Sequence, residues 1–497
     1  MSNLSELLPA GGAAKEFEPV ASGTLPNGQA VVLKSNGQVE VVSETTIAAD
    51  IPAGTAANFV SSAETYYVDC AFDPNTANKF VITYRRNSSP YYGRGVVGTI
   101  SGNSISFGTE YVFHTGTSGN MQCAFDPNTA GKFVITYMDA SNSYHGMAVV
   151  GTISGTDISF NTKYTFNAGN TDMPTLAFNP SVAGQFVVVY KDEANSNQGT
   201  AIIGTISGTS ISFGSEAVFD TSTISRRMSP AFDANTSNKL VITYSDNGNS
   251  FHGTAIVGTV SGTSLSFGTA AVFNAANTNS IHASFDPNTA GKFVVTYRDD
   301  GNSYVGTAII GIISGTSISF GSEAIFYSAQ VNENTTCAFD PINANQIIVC
   351  YANGPSNNTQ SAKMGTVSGT TISFGSENTI ISGNVSDLTF SMSHIDVGKF
   401  VVAYKNGGSN SSAIICKASY KTTNVSSSDF VGITAEAITS GSTGVVVPQG
   451  GVATNLSSLT IGSNYYVQAN GTLSTASSSP AVHIGKAISA TSLILKG

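Results

Sequence analysis

The chain has 497 residues, with 21 Lys plus Arg against 31 Asp plus Glu, and the resulting net charge of −10 argues against a nucleic-acid groove. Charged residues make up only 10%, well below the usual fraction, while Gly is 51 and Trp is 0. No uninterrupted apolar run approaches the roughly 18 residues needed to span a bilayer, so no membrane insertion is expected.

Residues 1–19, MSNLSELLPAGGAAKEFEP, lack a basic segment followed by an apolar one and do not read as a signal peptide. They are assigned as an N-terminal arm, docked on a partner or frayed. Residues 20–47 read as a β-hairpin, Ala30–Lys34 and Gln38–Val42 around the Asn36-Gly37 turn, and do not match the repeats that fill the middle of the chain. The segment GTAANF at 54–59 stands alone before the first complete repeat.

A repeat of about 53 residues then fills most of the chain. Its marker is AFDPNT at 71 and 124, AFNPSV at 177, AFDANT at 231, SFDPNT at 284, AFDPIN at 338 and the degraded SMSHID at 391. Each copy holds four strand signals. Strand a ends in the marker, and strand b is FVITY or a variant, as in Phe80–Tyr84 and Phe400–Tyr404. Strand c is an apolar run such as Ala201–Thr205, and strand d is ISFGSEAVF, Ile211–Phe219. β-Branched and aromatic residues fill these runs, Gly, Asn, Asp and Pro punctuate them, and no helical periodicity is sustained. The chain is all-β.

The seventh repeat has strands a (Leu388–Met392), b and c (Ala413–Ala418) but no strand d. Gly54–Phe59 has the d pattern and lacks a, b and c. Pairing the two predicts a seven-bladed β-propeller of four-stranded blades over 48–424, closed by an N-terminal d strand, with no open sheet edge. The ends then emerge together, so the 20–47 hairpin and residues 425–497 are expected to build one small β domain.

At these ends a family resemblance appears. The opening SELLPAGG and VASGTLPNGQAVVLKSNGQVEVV, the closing FVGITAEAITSGSTG and YYVQANGTLSTASSSPAVHIGKAISATSLILKG, and repeats such as GTVSGTSLSFG resemble virion appendage proteins of tailed bacteriophages, especially marine and cyanobacterial ones. The resemblance implies a structural or adhesive virion protein, a tail fibre or tail-associated appendage, with other virion proteins as partners. It implies an oligomer, for which a trimer is the expectation, and it carries no active site. A capsid-surface decoration protein and a free carbohydrate-binding propeller lectin are the alternatives.

Comparison among the repeats locates the candidate site. The a–b and c–d turns barely change, whereas the b–c and d–a loops at the opposite end of the blades are diverse, and loops on a rigid scaffold are where binding usually lives. The variable loops carry Tyr91, Tyr92, Tyr144, His145, Phe251, His252 and Tyr304 just before strand c. Aromatic faces suit sugar rings on a host surface, but recurrence at matched positions favours packing between blades or over the b–c hairpin. Arg85, Arg86, Arg94, Arg226 and Arg227 offer planar forks to acidic glycans.

Asp139, Asp192, Asp246 and Asp299 after strand b, and the marker aspartates Asp73, Asp126, Asp233, Asp286 and Asp340, are expected to cap turns rather than bind calcium. Cys70, Cys123 and Cys337 share a slot with Leu176 and Phe390, which makes it apolar; five buried free thiols are expected, and no zinc. Glu110, Asp192, Glu193, Asp299 and Asp300 could supply glycosidase carboxylates, but nothing in their spacing pairs any two. No enzyme, metal or cofactor is expected.

Overall fold

The computed structural model describes residues 16–61, 63–87, 91–332, 335–354, 359–383, 385–406, 410–477 and 482–496. It divides into two compact units, one from 49–419 and one from 1–48 with 420–497.

In the larger unit each repeat is an antiparallel sheet in the order a-b-c-d. In the first, Thr65–Phe72 pairs with Lys79–Arg86, that strand with Gly93–Ser101, and the last with Ser104–Phe107 and Tyr111–His114. Strand b is buried on both faces because each sheet lies between two others, and alternate residues serve alternate neighbours. Phe80, Ile82 and Tyr84 pack with Val401, Ala403 and Ile415 of the seventh repeat, whereas Val81 packs with Phe133, Ile135 and Tyr137 of the second. The Ser104–Phe107 segment of strand d, at the rim, is only partly covered.

Strand d differs from the single run expected. In most repeats it is two segments, such as Ser210–Phe213 and Ala217–Asp220, with a bend between them. The bend has two causes. A Cβ built on Gly214 would lie 2.1 Å from the Thr263 carbonyl oxygen of the next repeat, so the chain comes close there and only Gly fits. Glu216 meanwhile turns inward to accept the buried Tyr190 hydroxyl at 2.6 Å. In the fourth repeat the outer segment instead runs on into strand a of the fifth as one strand, Ala271–Phe285.

The orphan segment pairs where the repeat order places it. Ala57–Val60 lies antiparallel to Ser411–Lys417, with Ala57 opposite Ala413 and Asn58 opposite Ser412. Gly54 meets the Asn103 carbonyl of the first repeat as Gly108 meets that of Thr156 one repeat on, so both junctions use the same contact.

Successive a strands pack side by side, and the Thr65–Phe72 strand touches both the Ser118–Phe125 and the Val385–Met392 strands. Side chains latch each a strand to the next. Asp69 accepts from the Cys123 N–H at 2.8 Å, Gln122 from Leu176 at 2.7 Å and Ser229 from Ala283 at 3.0 Å. Across the junction of the two ends, Thr389 donates to Asp69 at 2.9 Å and the Phe72 N–H to Ser391 at 3.0 Å.

The smaller unit takes strands from both chain ends. Ala30–Leu33 lies between Val39–Val41 and Phe430–Thr434, which also pairs with Val446–Pro448. Ala30, Val32 and Val42 share one apolar cluster with Phe430, Ile433, Tyr465 and Leu493. Of the arm, residues 1–15 lie outside the described residues; Phe17 bridges to Val446.

Candidate functional site

Strand b runs from the a–b turn to the b–c loop, so all b–c loops gather at one end of the sheets. In the second to fifth repeats the acidic residue closing strand b opens the loop. Asp139 accepts from the Ser141 N–H at 3.0 Å, Asp246 from Asn249 at 3.1 Å and Asp299 from Gly301 at 3.1 Å. These are turn caps. Two residues at positive φ come next: Ser143 and Tyr144, Ser196 and Asn197, Ser250 and Phe251, Ser303 and Tyr304. In the second and fifth repeats a hydrogen bond closes the turn, His145 N–H to the Asn142 carbonyl at 3.1 Å and Val305 to Asn302 at 3.3 Å. Paired positive-φ residues in a hairpin turn normally mean Asn-Gly, and the left-handed region costs a bulky residue about 1–2 kcal/mol. Three of these four loops place an aromatic there.

The loops are also tied down. The carbonyls of Tyr144, Asn197, Phe251 and Tyr304 accept from Thr171, Ile224, Thr278 and Val331 at 2.8–3.0 Å, joining each b–c loop to the neighbouring d–a segment. Tyr91, Tyr144 and Tyr304 are 44%, 47% and 44% exposed, more than packing between the sheets would leave them. Of these three, Tyr144 and Tyr304 stand at positive φ. Tyr92, Phe251, His145 and His252 are half-buried, and His145 Nδ1 lies 3.1 Å from Asn142 Nδ2.

The cations sort into different roles. Arg86 Nη2 donates to both oxygens of Glu110, at 2.8 and 2.7 Å, and Arg94 reaches the same carboxylate at 3.2 Å. Tyr84 also donates to Glu110, so Arg86 serves the blade rather than the surface. Arg226 donates to Asn277 at 2.7 Å and to the Thr278 carbonyl, 5.1 Å from the Phe251 ring centre. Arg298 is bound to Asp300 at 2.5 Å and lies 5.4 Å from the Tyr304 ring centre. Arg227 is exposed, and its charge acts on Asp69 and Asp387.

Repeat 1 concentrates these features. Strand a bulges between Tyr66 and Asp69, with Tyr67 at φ 55°, as strand a also does in the second, third, fifth and seventh repeats, and a bulge re-aims side chains. Arg85 sits 5.4, 5.0 and 5.9 Å from the ring centres of Tyr66, Tyr67 and Tyr91. Lys405 lies 4.3 Å from that of Tyr66. Burial pushes the nearby Asp387 carboxyl above its ordinary range, while Lys405, Arg227 and Arg85 pull it back.

The opposite end is structural, and there sequence reasoning missed a role. Asp73 caps its own turn at Asn75 (2.9 Å) and also accepts from Gly131 of the next repeat at 2.9 Å. Asp126 repeats this with Asn128 and Gly184, and Asp233 with Asn235 and Gly291. Where the next repeat offers Asn238 instead of Gly, the marker residue is Asn179, whose amide donates to Asn238 at 2.9 Å. The fifth marker stays Asp286 although the sixth repeat also offers an Asn, Asn345; there Asp286 Oδ2 meets Lys292 at 3.3 Å instead. A cavity of about 220 Å³ at this end is lined by His282, Cys337, Ser391 and His394. The five cysteines are buried and free, and among the described residues no cluster of His, Cys, Asp or Glu could hold a metal.

No protein-family model and no curated protein sequence matches the chain. Among solved structures, the BP39L lectin of Burkholderia pseudomallei aligns with a TM-score of 0.51 at 10% identity, covering 71% of this chain and 94% of that one. Sqt1 of Chaetomium thermophilum gives 0.45 at 11%, covering 73% and 100%, and AofleA of Arthrobotrys oligospora gives 0.40 at 9%, covering 73% and 98%. The first likeness is one of fold, and with the repeating four-stranded sheets it makes this an all-β, β-propeller-like repeat protein.

Proposed function

We propose that residues 49–419 form a closed seven-bladed β-propeller that binds carbohydrate through its b–c loop face. The observation that carries the binding reading is the pair of exposed rings, Tyr144 and Tyr304, held in a backbone region that disfavours them, since strain of this kind is kept where it serves a site. Aromatic faces stack on the apolar faces of sugars, and the ties to the d–a segments hold the rings in place before a ligand arrives. The fold shared with a lectin supports the same reading. Pairing of Ala57–Val60 with strand c of the seventh repeat supports the seven-bladed ring.

Binding without turnover is the proposal, because the carboxylates that the sequence offered for glycosidase chemistry are committed. Asp139 and Asp299 cap turns, Glu110 is held by two arginines, Glu193 accepts from Lys191 at 2.6 Å, and Asp300 holds Arg298. A broad glycan array probed with the full chain tests the reading: retention on a defined set of glycans is expected, and no retention on any overturns it.

A second reading keeps the sequence resemblance: a virion surface appendage, oligomeric, with other virion proteins as partners. It is favoured by the terminal segments, which carry that resemblance and form a compact unit of their own. Gold labelling of phage particles with an antibody to the repeats tests it; label on tail or capsid supports it, and bare particles remove it.

A further inference from the structure

We infer that Arg85, with Tyr66, Tyr67 and Tyr91, forms a subsite for an anionic sugar, one bearing a carboxylate or a sulfate. This rests on the carbohydrate reading above and narrows it to one repeat and one ligand class.

Four repeats place a cation at the same position: Arg85, Lys191, Arg298 and Lys405 each directly follow the buried tyrosine of strand b. Lys191 is met by Glu193 at 2.6 Å and Asp172 at 3.7 Å, and Arg298 by Asp300. Arg85 is different. Of its five N–H donors, one reaches the Ser118 carbonyl at 3.1 Å, and its buried Nε has no hydrogen-bond partner among the described residues. Its other neighbours are three tyrosine rings, which attract the cation by their faces but accept no conventional hydrogen bond there, and the half-shielded Asp387 carboxyl, on which its charge acts together with those of Lys405 and Arg227.

Lys405 beside it has its ion-pair contact, Glu64, at 3.8 Å, where that carboxylate also accepts from Asn87, and its charge acts on the same Asp387. A planar fork with unspent donors, partly shielded from water by aromatic rings, matches an anionic group bidentately, while Tyr91, the exposed ring of the set, offers a stacking face for the sugar. The chain as a whole carries −10, so an attraction for anions must come from such a local arrangement.

The test uses the full chain against galactosides in three matched forms: neutral, sialylated and sulfated. One anionic form is expected to bind about 10-fold tighter than its neutral parent, and Arg85→Gln is expected to erase that difference while melting like the parent protein. Which anionic form is preferred tells carboxylate from sulfate. Equal binding of all three, or a preference that survives Arg85→Gln, overturns the subsite and leaves the carbohydrate reading standing. Absence of binding both here and on the broad array removes both. If Arg85→Gln fails to fold, Tyr91→Ala at an exposed position serves: weaker binding of the anionic form supports the subsite, and unchanged binding overturns it.

Discussion

His282 shows how much a single position can carry. It occupies the latch position of strand a, where its Nδ1 accepts the Cys337 N–H at 3.3 Å. Burial pushes its imidazole down to about 4 from an ordinary 6.5. The unfolded chain therefore takes up the proton first, so stability is complete above 6.5 and is lost as pH falls from there toward 4. His394, lining the same cavity, shifts in the same direction by burial. The urea midpoint should fall between pH 7 and pH 5, and His282→Gln should flatten that slope, since Gln122 makes the same latch in the second repeat. An unchanged slope would show that other groups govern the acid response. The sequence displayed six histidines without a pattern, because the latch is filled by Asp, Gln, Ser or His and only contact between neighbouring a strands reveals the shared job.

At the scale of elements, the turns were legible and their second function was not. The marker aspartates were recognisable as turn caps from the Asp-Pro-Asn spacing. That one carboxylate also reaches the next repeat shows only in the contact between neighbouring a–b turns. Asp126→Ala removes the cap at Asn128, a bond from Thr129 at 2.7 Å and the bridge to Gly184, and should cost about 2–3 kcal/mol in urea denaturation. A loss within 0.5 kcal/mol, the usual range for surface changes, would show that the bridge contributes nothing. The b–c turns were misjudged for a related reason. Matched aromatics suggested packing, yet Ser-Tyr and Ser-Phe occupy backbone positions for which Asn-Gly is the usual signal. Propensity could not announce a turn that the chain adopts against propensity.

For the molecule as a whole, the order of repeat fragments was the most informative feature of the sequence. A lone d strand at one end and a repeat lacking d at the other predict the pairing of Ala57–Val60 with Ser411–Lys417. Phe59 secures that junction, with its ring 5.2 Å from Tyr84 and 5.8 Å from Phe107. Phe59→Ala should cost about 3–5 kcal/mol, and deleting residues 54–60 should replace one cooperative melt with a broad or multiphasic one. A deletion that melts like the full chain would mean that the end-to-end pairing does not hold the array together. The two-unit organisation was legible in outline because both termini leave the repeat pattern, although the first unit's core draws on strands too short to stand out in sequence, such as Val452–Ala453.

Strained loop aromatics kept for binding are the centre of this account, and the most direct measurement pairs a thermal melt with a glycan array on one variant. That variant carries Tyr144→Asn, Phe251→Asn and Tyr304→Asn, copying the residue the third repeat already uses at Asn197. Asn tolerates the left-handed region, so the melting temperature should hold or rise, while array binding should fall about 10-fold or more. A variant that melts lower and binds glycans as well as the parent would contradict the account, because the rings would then be serving the fold.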